Sequence, residues 1–129
     1  MARFSEEECA IADNKHFGKR GRWQEYNYYL RAVDKGQILG ILHYSLQAGV
    51  MEITTVIVLH TNQRKGVGRA LMNKAEKIAQ KNNAHKLYLK TGKDWDSIKF
   101  YEKIGFQQTG ELKSHYLKRD WLEFSKFIK

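Results

Sequence analysis

The first half of the chain consists of short runs in which apolar residues alternate with polar ones, and this period of two predicts β-strands. Three such runs, rich in β-branched and aromatic residues, cover residues 22–33, 37–47 and 50–60. Turn-forming sequences separate them at 34–36 (DKG) and 48–49 (AG). We therefore predict an antiparallel meander of three strands.

The hydrophobic period lengthens to about 3.6 residues at Val67, which is typical of an amphipathic helix. One face of that helix collects Val67, Ala70, Leu71, Ala75, Ile78 and Ala79. The pattern predicts a helix from Val67 to the pair Asn82-Asn83. A strand over 85–90, a helix over 94–104 that ends before Gly105, and two closing strands over about 106–117 and 120–128 follow.

A further helix is predicted near the start of the chain, because Ser5 and Glu8 have the spacing of a capping box and Gly18 marks an end. The element order is then α-β-β-β-α-β-α-β-β in a single domain over residues 1–129. A strand, a helix and a strand in succession require a parallel crossover. The predicted fold class is a mixed α/β (α+β) sheet with helices packed on it.

The composition of the chain argues against disulfides, metal sites and membrane-spanning segments. Cys9 is the only cysteine, which excludes an internal disulfide and indicates a reducing compartment. The five histidines form no close pair along the sequence, so we predict no metal site. No apolar run approaches the ~18 residues of a membrane span, and the start of the chain lacks a signal-peptide core. We expect a cytoplasmic protein that does not contact membranes.

Positive charge is concentrated in one segment. The formal net charge is +9, and residues 64–93 hold nine lysines and arginines against the single carboxylate of Glu76. A solvated basic face would account for this segment. A field directed at a polyanion would also account for it, and both the phosphates of a small cofactor and a nucleic acid fit that description.

Gly66 and Gly68 lie between the end of the third predicted strand and the start of the following helix. Glycines leave backbone N–H groups accessible, and a helix N-terminus adds free donors and partial positive charge. This arrangement predicts a cradle for an anion such as a pyrophosphate. The loop is not a P-loop, since no Lys-Ser/Thr follows it, and it lacks the third glycine of G-x-G-x-x-G.

Two segments carry a resemblance to a known family. QRKGVG at 63–68 matches Q/R-x-x-G-x-G/A, and DWDSIKFYEKIGF at 94–106 is similar to N-x-x-A-x-x-x-Y-E-x-x-G-F. These are signatures of the GNAT superfamily of acyl-CoA N-acyltransferases, which the chain resembles over roughly residues 23–128. The resemblance implies a GNAT fold with splayed central parallel strands. It also implies acetyl-CoA or coenzyme A as cosubstrate, without a metal.

The resemblance assigns cofactor-binding residues as well. Backbone groups of Val56, Ile57 and Val58 would hydrogen-bond the pantetheine between the splayed strands. The pyrophosphate would be wrapped by the loop of Gln63, Arg64, Lys65, Gly66, Val67, Gly68 and Arg69. The family's asparagine, which contacts the cofactor, is Asp94 here, and its alanine is Ser97. Aspartate cannot donate as an amide does, which puts the contact at Asp94 in doubt.

Three residues are candidates for the chemistry. Glu52, eleven residues before Gln63, has the spacing of the catalytic glutamate in histone-type members and would take a proton from the amine. The Val58 N–H would polarise the thioester carbonyl, and the Tyr101 phenol, at the family's tyrosine position, would protonate the leaving thiolate. A solvated Glu52 with water as the base, and a plain core role for Tyr101, are the alternatives.

The N-terminal part is shorter than in the family, which usually has a first strand and two helices before the equivalent of residue 23. The acceptor site would then be more open, or completed by a second subunit in a homodimer. Six residues are candidates for its lining, or equally for core and dimer interface: Trp23, Tyr26, Tyr28, Tyr29, His115 and Tyr116.

The predicted function is N-acetyl transfer from acetyl-CoA to a primary amine of a small molecule, peptide or protein, by direct attack through a tetrahedral intermediate. Two alternatives are open. The basic segment over 64–93 also fits an acetyltransferase of tRNA, or a protein that binds nucleic acid. Asp94 also fits a GNAT domain that binds coenzyme A without catalysis.

Overall fold

The computed structural model describes residues 26–63 and 65–129, with the backbone alone for Tyr26. The predicted N-terminal helix, Cys9, Trp23 and Arg64 lie outside the described residues. The strands are β1 (Tyr26–Asp34), β2 (Gln37–Gln47), β3 (Val50–Val58), β4 (Lys86–Gly92), β5 (Gln107–Leu112) and β6 (Trp121–Phe127). The described helices are α1 (Val67–Lys81) and α2 (Ser97–Lys103).

The predicted types of these elements are confirmed, while several boundaries differ. The largest difference is in β5, which ends at Leu112 and not near residue 117, because a turn and a 3₁₀ turn at Tyr116–Lys118 precede β6. β3 ends at Val58, before residue 60, because the chain enters a 3₁₀ turn at His60–Asn62. α2 begins at Ser97, later than residue 94, because the Trp95 N–H donates to the Gly92 carbonyl at 3.1 Å. That hydrogen bond closes a turn before the helix starts.

All six strands belong to one sheet with the order β1-β2-β3-β4-β6-β5. The first three form the predicted antiparallel meander, and β4 is parallel to β3, so α1 is the crossover between them. β6 pairs antiparallel with both β4 and β5, which places it inside the sheet although it comes last in the chain. The central parallel pair is therefore flanked by antiparallel strands on both sides.

The core lies between the sheet and α1. Apolar residues at helical spacing, among them Leu71, Met72 and Ala75, pack against alternate strand residues such as Leu42 and Leu87, and all of these are buried. Each large aliphatic side chain removed from water in this way contributes about 1.5–3 kcal/mol before entropy is counted. The exposed lysines of α1 lie on its opposite side.

A β-bulge interrupts β3 at Thr54. His43 of β2 is opposite Thr55 and Tyr44 is opposite Ile53, so Thr54 is the extra residue. Its hydroxyl lies 2.6 Å from Nδ1 of His43. In a regular strand Ile53 and Val56, three residues apart, would face opposite sides of the sheet. Because of the extra residue, both pack against the core.

Candidate functional site

The central strands separate soon after they meet. Parallel pairing of β3 with β4 covers Val50 to Glu52 on one strand and Lys86 to Tyr88 on the other. β3 then continues to Val58 and β4 to Gly92 without further pairing between them. The bulge at Thr54 lies two residues beyond the last paired position, as expected of a feature that bends a strand and ends its pairing.

A cavity of about 200 Å³ opens in this gap. Its walls come from both separated strands and from the segment that leads into α2. The lining residues are Ile53, Thr54, Thr55 and Val56 of β3, Leu89, Lys90 and Thr91 of β4, and Trp95, Ser97 and Tyr101. Beyond the last β3–β4 pair, the edges of the two strands facing this gap are not paired with each other, which leaves room for a ligand between them.

Tyr101 projects from α2 into the cavity wall. Its ring makes edge-to-face contacts with Phe100 and Phe106, at centroid distances of 5.3 and 6.0 Å. Burial raises the pKa of the Tyr101 phenol above its ordinary value. The phenol is therefore protonated at neutral pH and can donate a proton or a hydrogen bond into the cavity.

The remaining α2 side of the cavity is held by close packing. Ser97 Oγ lies 3.0 Å from Oγ1 of the buried Thr91, which ties the start of α2 to β4. The Trp95 indole occupies the space that a Cβ on Gly92 would need. A glycine at position 92 thus lets an aromatic ring form part of the cavity wall.

Glu52 is adjacent to the cavity rather than part of its lining. Its carboxylate Oε2 is 3.5 Å from Nζ of Lys90, which does line the cavity, and the Glu52 side chain is 26% exposed. Tyr88 is the ladder partner of Glu52 on β4, and the two side chains interact electrostatically. Burial first, and Glu52 second, raise the pKa of Tyr88 to about 12. Glu52 is therefore held between a cation and a phenol and is not a freely solvated side chain.

The glycine loop has the backbone geometry of an anion cradle. Gly66 has φ of 83° and precedes α1, and the Ala70 N–H donates to its carbonyl at 3.0 Å. Apart from Gly66 and its two chain neighbours, no atom of the described residues lies within 4 Å of the place where a Gly66 Cβ would stand. The exposed Lys65 and Arg69 flank this open terminus, and the first turn of α1 holds no acidic residue. Negative charge is favoured at such a position.

Two kinds of feature are not found in the part of the chain that the structure describes. No group of three or more histidine, cysteine, aspartate or glutamate side chains there is arranged to hold a metal ion. None of the helices over residues 26–63 and 65–129 combines the length and apolar character needed to cross a membrane.

Comparison with known proteins decides the family. Residues 2–106 match the family model described as the acetyltransferase (GNAT) family. The chain belongs to the GNAT acetyltransferase family. The predicted family and the predicted fold class are both confirmed.

Solved GNAT structures share the fold at low sequence identity. An acetyltransferase from Bacillus cereus ATCC 14579 is 16% identical with a TM-score of 0.79, over 98% of this chain and 91% of that one. A GNAT family acetyltransferase from Elizabethkingia anophelis with acetyl-CoA bound is 19% identical with a TM-score of 0.75, over 79% and 76%. PaiA N-acetyltransferase from Thermoplasma acidophilum in complex with coenzyme A is 20% identical with a TM-score of 0.69, over 78% and 60%.

The GNAT fold brings together some of the residues predicted from the sequence and separates others. Val56 and Tyr101 line the cavity, and Glu52 is joined to it through Lys90. Ile57 and Val58 lie further along β3, beyond the lining residues, and the Val58 carbonyl accepts a hydrogen bond from the Gln63 side chain at 3.3 Å.

The other residues predicted to contact the cofactor or the acceptor differ in their distance from the cavity of this GNAT domain. Asp94 is exposed in the turn before α2 and does not line the cavity. Tyr28 and Tyr29 stack on Tyr44 and His43 of β2. Tyr116, by contrast, lies near the site, because its ring centroid is 5.9 Å from Nζ of Lys90.

Sequence reasoning missed most of the cavity residues in this GNAT domain, and three of them show why. Lys90 and Thr55 lie on separated strands, and Trp95 precedes α2. Trp95 lies inside the second signature and its partner Gly92 lies just before it, so the Gly-x-x-Trp spacing is the signal that could have indicated it. Lys90 carries no local signal, since its role depends on a contact with Glu52, 38 residues away.

Proposed function

We propose that this GNAT domain transfers an acetyl group from acetyl-CoA to a primary amine of a small molecule, peptide or protein. The observation that carries the proposal is the cavity between β3 and β4, which has a partly buried tyrosine on its wall, Tyr101. Two structures with the same fold are described as holding acetyl-CoA and coenzyme A, which supports the choice of cosubstrate.

The residues present fit such a cosubstrate. Beyond Glu52, β3 is not paired with β4, so the backbone groups of Val56, Ile57 and Val58 are the candidates to bind a pantetheine arm in the gap. The loop from Gln63 to Arg69 would bind the pyrophosphate through N–H groups at the start of α1, aided by its basic side chains. Asp94 lies on the exposed side of this region and would add little to binding.

Glu52 is the proposed base. An amine with a pKa near 10.4 is about 1 part in 2,500 neutral at pH 7, so a group that removes its proton accelerates the attack. Glu52 lies at the cavity's edge and is held in place by Lys90 and Tyr88. An incoming ammonium would share this carboxylate with Lys90 before giving up its proton.

Tyr101 is the proposed acid. Its raised pKa keeps the phenol protonated, so it can protonate a thiolate, whose conjugate thiol has a pKa near 8.5. The backbone N–H of Val58 is proposed to polarise the thioester carbonyl. The acetyl group would then pass directly to the amine through a tetrahedral intermediate, and no residue of the chain would carry it.

Acetyl-CoA titration by calorimetry, together with a thiol-release assay over a panel of amines, tests this function. We expect saturable binding of acetyl-CoA and thiol release that depends on one class of amine. Binding without thiol release for any amine would indicate a non-catalytic coenzyme A domain. RNA binding that persists at saturating coenzyme A would favour the nucleic-acid alternative, and an absence of acetyl-CoA binding would contradict the proposal.

A further inference from the structure

One primary amine of the chain itself lies at the proposed site. Lys90 lines the gap between β3 and β4 together with Thr55 and Tyr101. Its side chain is 28% exposed, and Nζ is 3.5 Å from Oε2 of Glu52. The distance and the partial burial place this amine next to the carboxylate proposed as the base.

Among the described residues, Glu52 is the carboxylate that forms an ion pair with Lys90. Glu123 of β6 is opposite Lys90 in the β4–β6 ladder, but its carboxylate accepts a hydrogen bond from Thr109 at 2.9 Å. The Tyr116 ring centroid lies 5.9 Å from Nζ of Lys90, and Tyr88, on the same strand as Lys90, is the ladder partner of Glu52. Lys90 thus has an aromatic ring on one side and a carboxylate on the other.

We propose that Lys90 is a self-acetylation site, modified on Nζ by acetyl-CoA bound to the same chain when no external amine is present. The proposal rests on the proposed function. The Lys90 ammonium would give a proton to Glu52, and the neutral amine would attack the thioester carbonyl. A C–N bond forms, the C–S bond breaks, and the leaving sulfur takes a proton from Tyr101. The second proton lost by the nitrogen replaces the one given up by Tyr101, and Glu52 releases its proton to solvent. The products are N-acetyl-lysine and free coenzyme A.

The protonation of the Lys90 amine makes self-acetylation slow and dependent on pH. Burial lowers the pKa of Lys90, but Glu52 and Tyr116 together raise it by more, so the pKa lies above its ordinary value. The amine is therefore protonated at neutral pH, and the rate of self-acetylation rises as the pH rises towards that pKa. Acetylation removes the positive charge, which ends the ion pair and frees Glu52 for an external amine.

Lys86 is the matched control. It lies on the same strand and the same face as Lys90, but at the end where β3 and β4 are still paired. Its Nζ lies over the Tyr88 and Phe127 rings, at 5.5 and 5.7 Å from their centroids. Chemical acetylation in solution would not favour Lys90 over Lys86, whereas reaction within the cavity would.

The experiment is incubation of the full chain with isotopically labelled acetyl-CoA, followed by peptide mass mapping of the wild type and three variants. We expect about one acetyl group per chain on Lys90, added at least about tenfold faster than on Lys86, with a half-time independent of protein concentration. Lys90→Arg should lose the label, Lys86→Arg should keep it, and Glu52→Gln should slow it.

The outcomes separate this proposal from the proposed function. Equal labelling of Lys86 and Lys90, or a half-time that shortens with protein concentration, would overturn self-acetylation in the cavity. The chain could acetylate an added external amine and yet leave Lys90 unlabelled when no such amine is present. That result would overturn this proposal and leave the proposed function standing. If calorimetry showed no acetyl-CoA binding, both would fail.

Discussion

Glu52 and Tyr88 form the last pair of the parallel ladder between β3 and β4, and burial first and the neighbouring Glu52 carboxylate second raise the pKa of the Tyr88 phenol. This pair marks where the strands begin to separate, and it fixes the proposed base at the edge of the cavity. It also links the position of Glu52 to a group whose protonation can be measured.

The first prediction concerns stability at alkaline pH. The pKa of Tyr88 is about 12 in the folded chain against 10.0 for a free phenol. The folded state therefore keeps the proton longer than the unfolded state. The stabilising contribution is fully present below about pH 10 and is lost as the pH rises towards about 12. We expect the difference in unfolding free energy between wild type and Tyr88→Phe to shrink over that window.

Chemical denaturation at a series of pH values measures this difference, and Tyr29→Phe is the control because that side chain is 69% exposed. If the difference in unfolding free energy between wild type and Tyr88→Phe stays constant from pH 9 to pH 12, ionisation of the Tyr88 phenol does not destabilise the fold and the prediction is wrong.

The second prediction concerns the role of Tyr101. Removal of the phenol oxygen in Tyr101→Phe leaves the ring contacts with Phe100 and Phe106 possible, so the fold and acetyl-CoA binding should be retained. Loss of the proton donor should lower kcat by roughly 10²-fold or more. Steady-state kinetics and calorimetry on the same preparation measure both quantities. Unchanged kcat would assign Tyr101 to the core alone.

The third prediction distinguishes a phosphate cradle from a general basic face. Lys65 flanks Gly66 at the start of α1, whereas Lys81 lies at the end of the same helix, and both are exposed. Lys65→Ala should raise the Kd for acetyl-CoA roughly two- to fivefold, and the effect should diminish with added salt. Lys81→Ala removes the same charge and should leave the Kd unchanged. Equal effects would favour a diffuse field.

The sequence predicted the parts of this site that depend on local conformation. Gly66 requires a positive φ before a helix, and Tyr101 stands at a fixed offset within a helical signature, so both are recognisable without the fold. The antiparallel order of β1, β2 and β3 was also predictable, because alternation and two short turns determine it.

Other parts depend on contacts between distant segments. The extra residue at Thr54 is recognisable only from the pairing of β3 with β2, since a run of β-branched residues does not reveal which one is unpaired. Lys90 reads as a polar strand residue in the sequence, and its ion pair with Glu52 exists only because β3 and β4 are neighbours. The point at which β3 and β4 stop pairing with each other, and with it the cavity, follows from the same tertiary arrangement.

The fourth prediction tests how the cavity wall is built. A Cβ on Gly92 would overlap the Trp95 indole, so Gly92→Ala must push this ring out of the wall or shift the backbone. Overpacking of this kind costs about 1–3 kcal/mol, and displacement of Trp95 should also weaken acetyl-CoA turnover. Trp95→Ala removes the ring and makes room for the added methyl group.

A double-mutant cycle measured by chemical denaturation therefore has a defined outcome. The cost of Gly92→Ala should be large in the wild-type background and close to zero in the Trp95→Ala background, giving a coupling energy of about 1–3 kcal/mol. Trp121 contacts Trp95 edge to face at 5.0 Å and should shift its fluorescence in the single variant. Additive costs would mean that Gly92 is required by the backbone of the turn and that Trp95 packs there incidentally.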